Sequence, residues 1–502
     1  VNAVDPVATA DPAPTASIGI ALLSHTNAGK TTLARTLLRR DIGEVADRAH
    51  VTEVAESHAL LGTDAGDELV LWDTPGFGDS LRLARRLEAS GNPVGWFLSA
   101  VWDRWTDRPF WCSQQAMRTA RESTDVVLYV ANAAEDPAVA GYLEPELRIL
   151  EWLGRPVLVL LNQLGERATP AEVAADLARW RTRLEGRAGV AGVLPFDAFA
   201  RCWVQEHVLL AALAPLLPPA KRAAFGRVQA AWRARDLAVL ERAVDVLARQ
   251  LAALAADRET LAPARLQQRA KSWLARAAGR EVETEPEVAA AQEALARRLD
   301  AAVRESTDGL VRLHGLAGHA SAEILQRLGS EFAVERGVDA GSATLVGGIV
   351  SGALGGLAAD VAAGGLTFGA GALLGGVLGA LGARGAVDAW NTVRGGESGA
   401  VRWSPSFLDG RVAAALARYL AVAHFGRGRG EFRGATLSPE WGPAIESAIA
   451  ARRPDFAAVW ALASQDGTHD AIAACLRSPL RASLLDMLRQ LYPDAITALR
   501  LD

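Results

Sequence analysis

Cysteine, lysine, tyrosine and an excess of positive charge are all scarce in this chain of 502 residues, and each scarcity narrows what it can be. The three cysteines, Cys112, Cys202 and Cys475, stand far apart without metal-ligand spacing, which excludes a disulfide framework or a zinc site and fits a reducing cytosol. Lysine plus arginine (53) against aspartate plus glutamate (58) leaves a net charge of -5. No global basic field therefore exists to hold a nucleic acid by counterion release, and nucleic acid is not an expected partner. The first sixteen residues contain no lysine or arginine and no continuous apolar core, so they read as a flexible tail and not as a secretory signal. A hydrophobic share of 50% excludes a disordered chain, and the length suffices for two to four domains.

Lysine occurs only at Lys30, Lys221 and Lys271; the other 50 of the 53 basic residues are arginine, and alanine is heavily used. Such a bias points to a GC-rich bacterial genome, in which a retained lysine marks a place where its own chemistry is needed. From Ser17 to Phe196, short apolar runs alternate with amphipathic stretches, which predicts a mostly parallel sheet flanked by helices. The runs are 17–23, 68–72, 125–131, 155–161 and 192–196, rich in Val, Ile and Leu. Thr169, Pro170 and Glu172 spell a helix start: cap, first-turn proline and capping-box glutamate. Beyond Phe199 the strand signals fade into Ala, Leu, Arg and Glu at helical spacing. Further helix candidates lie around 405–421, 439–451 and 479–491.

The first apolar run leads into Ser24-His25-Thr26-Asn27-Ala28-Gly29-Lys30-Thr31 and then a helical TLARTLLRR. A strand before and a helix after make this a Walker A phosphate-binding loop, although Ser24 replaces the first glycine. Backbone N–H groups of Asn27, Ala28, Gly29 and Thr32 would surround the β-phosphate at the helix N-terminus. Lys30 would reach the β- and γ-phosphates, and the Thr31 hydroxyl would bind Mg²⁺.

The second run ends in Asp73-Thr74-Pro75-Gly76, which resembles the DxxG motif of GTPases: Asp73 would hold Mg²⁺ through water and Gly76 would touch the γ-phosphate. Between the two motifs, Thr52 is the candidate switch threonine, ligating Mg²⁺ only while the γ-phosphate is present. Asn162-Gln163-Leu164-Gly165 follows the fourth run, at the place of the base-recognition motif NKxD. Together with the LPFDAFARCWVQE string, these motifs resemble the TrmE, Era, EngA and septin-like class of P-loop GTPases, in a bacterial subfamily with a helical C-terminal domain. The resemblance covers residues 17 to about 207. It implies binding of GTP with Mg²⁺, a loop at Asp197 and Ala198 closing over the base, a potassium ion on Asn27 that supplies transition-state charge, and a G-domain dimer as an open option.

Two positions depart from that pattern. Phe77 stands where Ras-like proteins carry the water-positioning glutamine, so slow intrinsic turnover is expected. Gly165 stands where a carboxylate would accept from guanine N1 and N2, which leaves ATP or mixed use as the alternative to guanine, with Asn162 and Glu166 as remaining base contacts. Trp96, Trp102, Trp105 and Trp111 crowd the stretch after the second switch, either as core between domains or as a partner-contact surface. His25 and the other histidines read as structural or surface residues.

Residues 343–359 and 361–383 are apolar or small and are interrupted only by Asp360. Their length matches two membrane spans of about 20 residues each, but glycine and alanine dominate. Gly348, Gly352 and Gly356, like Gly371, Gly375 and Gly379, recur at intervals of four and would let two helices approach closely. A membrane-touching hairpin and a buried soluble hairpin both remain open. The organisation expected is a tail (1–16), an α/β P-loop G domain (17–204), a helical domain (205–336), a Gly/Ala-rich hairpin (337–386) and a C-terminal helical domain (387–502). Function is read as a cytoplasmic GTP-hydrolysing switch whose helical region serves a protein effector and docks on inner-membrane lipid. A dynamin-like remodelling GTPase and a ribosome or RNA assembly factor are the alternatives.

Overall fold

The computed structural model describes residues 15–39, 56–74, 76–77, 79–89, 108–165, 170–198, 202–261, 286–318, 390–395, 398–425 and 440–500. Residues 1–14 of the expected tail, Thr52, Glu166, Thr169, three of the four clustered tryptophans and the whole apolar block around Asp360 lie outside these residues. The chain divides into two compact units: 1–237 with 426–428 and 497–502, and 238–425 with 429–496.

The first unit is built on six strands: β1 (Ser17–Ser24), β2 (Glu56–Gly62), β3 (Glu68–Asp73), β4 (Val126–Asn132), β5 (Val157–Asn162) and β6 (Val190–Pro195). Their order is β2-β3-β1-β4-β5-β6. Only β2 runs antiparallel, against β3; the other neighbours are parallel. The five parallel strands coincide with the five apolar runs, because a sheet covered on both faces needs apolar residues at every position, and β4 and β5 are buried almost throughout. The edge strand ESHALLG has no such run and escaped the pattern.

Helices α1 (Lys30–Leu38), α2 (Ser80–Ala89), α3 (Arg108–Ser123), α4 (Leu143–Leu153), α5 (Pro170–Leu184), α6 (Gln205–Leu213) and α7 (Pro219–Ala256) complete this part of the chain. One core gathers Phe77, Leu83, Phe110, Met117, Leu147 and Trp180 beneath α2 to α5. The opposite core gathers Leu33, Leu37, Leu209, Leu213, Phe225 and Trp232 from α1, α6 and the first half of α7. Helix α6 and the start of α7 thus pack on the G-domain sheet, beyond the limit of 204 expected from the strand pattern. Lys221, one of the three lysines, donates to Asp125 Oδ2 at 2.8 Å and to the Ser17 carbonyl at 2.8 Å, pinning α7 to the start of the central strands. Arg227 on the same helix pairs with the buried Asp67 at 2.7 Å.

The second unit is helical with one small sheet. It contains the rest of α7, then β7 (Arg258–Leu261), α8 (Pro286–Leu313), β8 (Trp390–Gly395), β9 (Ser398–Trp403), α9 (Pro405–Ala423), α10 (Trp441–Ala450), α11 (Arg453–Ser464) and α12 (His469–Leu491); α13 (Pro493–Leu499) follows. Strands β7, β9 and β8 pair antiparallel in that order. They are short and arginine-bearing, so no apolar run announced them and their pairing is set by tertiary context. Helix α9 begins as expected at Pro405, with the Ser404 hydroxyl accepting from the Phe407 N–H at 3.2 Å. Helix α12 corrects the candidate at 479–491: it starts ten residues earlier, capped by Thr468, and Pro479 is buried inside it. Within this unit the buried Gln250 of α7 accepts from Arg418 of α9 at 2.7 Å and from Ser306 of α8 at 3.3 Å. Among the described residues no helix is long and apolar enough to cross a membrane.

Candidate nucleotide site

Strand β1 lies between β3 and β4, where the strand order reverses, and the loops leaving the carboxyl ends of the parallel strands meet there. Such a switch point is where open α/β sheets bind ligands. The loop 25–29 leaves β1 with Asn27 at φ 66° and Gly29 at φ 88°, both left-handed. Gly29 meets two demands that only glycine satisfies. Besides its φ, a Cβ there would lie 2.4 Å from Asn162 Nδ2. Asn162, fully buried at the end of β5, explains the closeness: its Nδ2 donates to the Ala28 carbonyl at 2.9 Å and its Oδ1 accepts from Ala198 N at 2.8 Å. One amide thus ties the phosphate loop to the segment after β6. Gln163, itself at φ 59°, adds a long contact from Nε2 to the Asn27 carbonyl at 3.4 Å. The backbone N–H of Leu164 donates to Asp197 Oδ2 at 2.8 Å. The predicted base-side residues Asn162, Gln163, Asp197 and Ala198 are therefore brought together with Asn27, Ala28 and Gly29.

Lys30 opens α1 and is buried. Burial pushes its ammonium pKa down, against the pull of the nearby Asp73 and Glu146 carboxylates. The first turn of α1, with Thr31 and the buried Thr32, carries no acidic residue, and its N-cap is glycine. Its N–H groups and positive dipole end are thus suited to a phosphate. Asp73 is buried at the end of β3 in register with Leu22. Two hard-oxygen groups, the Thr31 hydroxyl and the Asp73 carboxylate, fit Mg²⁺, which takes few protein ligands and completes its shell with water and phosphate oxygens. Among the described residues no group of three or more acidic, histidine or cysteine side chains able to hold a metal occurs.

The segment after Asp73 is fastened to the loop. Thr74 Oγ1 donates to the Leu22 carbonyl at 2.5 Å, and Phe77 N donates to the Ser24 carbonyl at 3.2 Å. Ser113 of α3 donates its hydroxyl to the Phe77 carbonyl at 2.6 Å and lies 3.3 Å from that of Gly76. Phe77 is only 1% exposed and belongs to the core under α2 to α5, so its ring does not face the site. Trp111, the described member of the tryptophan cluster, is half-buried on α3.

The polar cluster at His25 was not foreseen. Its Nδ1 lies 2.8 Å from Glu146 Oε1, and its ring stacks on Tyr142 with centroids 3.8 Å apart. Tyr129 donates its hydroxyl to Glu146 Oε2 at 2.6 Å, and Tyr142 donates to Glu135 Oε2 at 2.5 Å. Burial raises the Glu146 carboxyl pKa, opposed by the bonds from His25 and Tyr129, and burial beside Glu146 pushes the Tyr129 phenol well up. A signal existed in the sequence: Glu146 falls on the same helical face as Leu143, Leu147 and Leu150, all buried. An acid on an apolar stripe needs a partner, but only the fold shows that the partner is a loop residue 121 positions away.

Two family models match the chain. Residues 19–163 match the family model described as "50S ribosome-binding GTPase". Residues 185–438 match the model described as "Domain of unknown function (DUF3482)". No curated protein matches the chain. Among solved structures, the chain is similar to a variant of Era from Aquifex aeolicus bound to GDP.AlF4-, at 17% identity over 40% of this chain and 57% of that one, TM-score 0.28. It is similar to Era in complex with MgGDPNP and nucleotides 1506-1542 of 16S ribosomal RNA, at 17% identity over 41% and 58%, TM-score 0.31. It is also similar to mGMPPNP-bound NFeoB from S. thermophilus, at 16% identity over 42% and 75%, TM-score 0.22. The chain spans 57% and 58% of the two Era chains. With a P-loop GTPase domain at residues 19–163 and a match that covers half of its length, the chain belongs to the family described as "Domain of unknown function (DUF3482)".

Proposed function

We propose that this protein is a GTP-binding and GTP-hydrolysing molecular switch whose nucleotide sits on the loop 27–32. The observation that carries the reading is the juxtaposition at the head of α1: a left-handed Gly29 locked under Asn162, a buried Lys30 beside the buried Asp73, and a first helical turn without an acid. A buried ammonium on the first residue of an acid-free helix start favours a multiply charged anion there, and phosphate oxygens meet both. Lys30 would bind the β- and γ-phosphates, and Thr31 with Asp73 would hold Mg²⁺, which neutralises phosphate charge when bound. Thr52 would complete that shell in the triphosphate state, and Gly76 N–H would sense the γ-phosphate.

Turnover is expected to be slow, because Phe77 is turned into the core and supplies no group to orient water. Asn27, exposed at the loop tip, is the candidate for a stimulating potassium ion. The helical region would read the nucleotide state for a protein effector, with docking to inner-membrane lipid through residues 337–386.

Turnover of GTP by the purified chain, in potassium against sodium, tests this reading. Lys30→Ala should weaken nucleotide binding at least about a hundredfold, the worth of two hydrogen bonds to charged groups. Asn27→Ala should lose the potassium stimulation while still binding GDP. GTP turnover that is unchanged in Lys30→Ala would refute the assignment.

A further inference from the structure

We propose that Glu146 is a positioning residue of the nucleotide site: its buried carboxylate holds the phosphate loop, at His25, against the head of the helix that follows the second switch, at Ser80. This rests on the GTPase reading above and names a residue that acts on turnover through its neighbours.

Three segments converge on this one side chain. Glu146, on α4, is 0% exposed and both of its oxygens are engaged. Oε1 meets His25 Nδ1 at 2.8 Å, and Oε2 accepts from the Tyr129 hydroxyl at 2.6 Å. The carboxylate is also hydrogen-bonded to the side chain of Ser80, which is buried and opens α2. Tyr129 stands opposite Leu23 in the β1–β4 register, so it fixes the carboxylate beside the end of β1 where the loop begins. One face of the His25 ring is held by Tyr142.

His25 lies five residues before Lys30, and Ser80 four residues after Gly76. The bonds from Thr74 to Leu22 and from Phe77 to Ser24 fasten the second switch to the end of β1. Glu146 adds a tie from the loop itself to α2. Burying a carboxylate is costly unless hydrogen bonds and an opposite charge offset it. Lys30 supplies part of that charge: its ammonium feels Asp73 most and Glu146 next. Glu146 thus acts in two directions. As a tie it aligns the segment carrying Gly76 with the loop, which phosphoryl transfer needs. As a charge it competes with phosphate for Lys30, which binding does not need.

Two variants of the full chain separate these effects from a merely structural role. Glu146→Leu removes tie and charge, whereas Glu146→Gln removes the charge but can still accept from Tyr129 and donate to His25. In Glu146→Leu the turnover number at saturating GTP should fall at least about tenfold, while GDP affinity holds or rises by up to about tenfold because a negative charge near the phosphates is gone. Glu146→Gln should recover part of the turnover. If Glu146→Leu does not fold, His25→Ala and Ser80→Ala each cut one end of the tie, and the double variant should lose no more turnover than the worse single one. Amide exchange without nucleotide should quicken in both 24–29 and 80–89 when the tie is cut. Turnover and GDP affinity falling by the same factor, turnover within about twofold of the intact chain, or exchange unchanged in either segment would overturn the inference. Failure of the intact chain to bind GDP would instead overturn the reading beneath it, and the exchange measurement would still decide whether Glu146 ties the two segments.

Discussion

Gly29 shows how much one position can fix. Its positive φ and the 2.4 Å approach of Asn162 Nδ2 to an added Cβ are independent penalties. Gly29→Ala is expected to lower stability by about 1–3 kcal/mol, the range for a residue forced into a sparsely populated conformation. It should also weaken GDP binding; urea unfolding together with a nucleotide titration checks both. The glycine-lysine-threonine signature and its strand-to-helix setting were legible in the sequence, as was the asparagine at the end of β5. Legible too was the absence of glutamine at Phe77, but not its burial: nothing local tells that the ring joins Leu83, Phe110 and Met117. Phe77→Ala should therefore cost about 3–5 kcal/mol, as expected for emptying a core aromatic site. Thermal or urea unfolding would read this loss. The His25–Glu146 pair was illegible for a different reason, since hydrogen-bond partners 121 residues apart leave no mark in spacing.

At the scale of elements, strands buried on both faces announced themselves by composition, whereas β2, β7, β8 and β9 depend on neighbours brought up by the fold. Helix ends were readable where a cap and a first-turn proline coincide, as at Ser404 and Pro405. Pro479 misled because proline favours a first turn and is costly further in, whereas here it is buried inside the helix. Charge pairs as well as apolar contacts join α6 and α7 to this part of the chain. Arg39, at the end of α1, pairs with Glu206 of α6 at 3.0 Å and with Asp236 of α7 at 2.8 Å. Burial opposes the Arg39 charge, but the two carboxylates outweigh it and hold its pKa above the ordinary value. Burial likewise opposes the Asp236 charge; the bond from His207 and the charges of Arg39 and Arg235 bring its pKa below the ordinary carboxylate value. Asp236→Ala removes a buried acceptor from the half-buried Arg39, which keeps Glu206, and should cost about 1–3 kcal/mol. A loss well under 1 kcal/mol by urea unfolding would contradict that account.

Over the whole molecule, the two compact units are expected to respond to different variables. A ligand that binds only the folded state stabilises it by mass action, so Mg·GDP at about 100 times its Kd should add about 2.7 kcal/mol to the first unit. In the second unit, burial lowers the His424 pKa from 6.5 to about 4, with the ring bonded to the Leu420 carbonyl at 2.7 Å. The folded ring stays neutral where the unfolded one takes a proton. His424 therefore destabilises nothing above pH 6.5, and stability is lost as pH falls from 6.5 towards 4. In the first unit Asp67, held at about 2 mainly by its bond from Arg227, loses its contribution only as pH falls below the ordinary carboxylate value of 3.8. Unfolding scans between pH 7 and 5 should show the second unit's transition moving down, and His424→Gln should reduce that movement.

The site built on Gly29, Lys30, Asp73 and Asn162 is proposed to hold a guanine nucleotide. Calorimetric titration of the intact chain with Mg·GDP and, separately, Mg·ADP tests it most directly, with Lys30→Ala alongside. Saturable binding of one GDP per chain, much weaker binding of ADP and loss of both in the variant are expected. Absence of GDP binding, or ADP binding at equal strength, would contradict it.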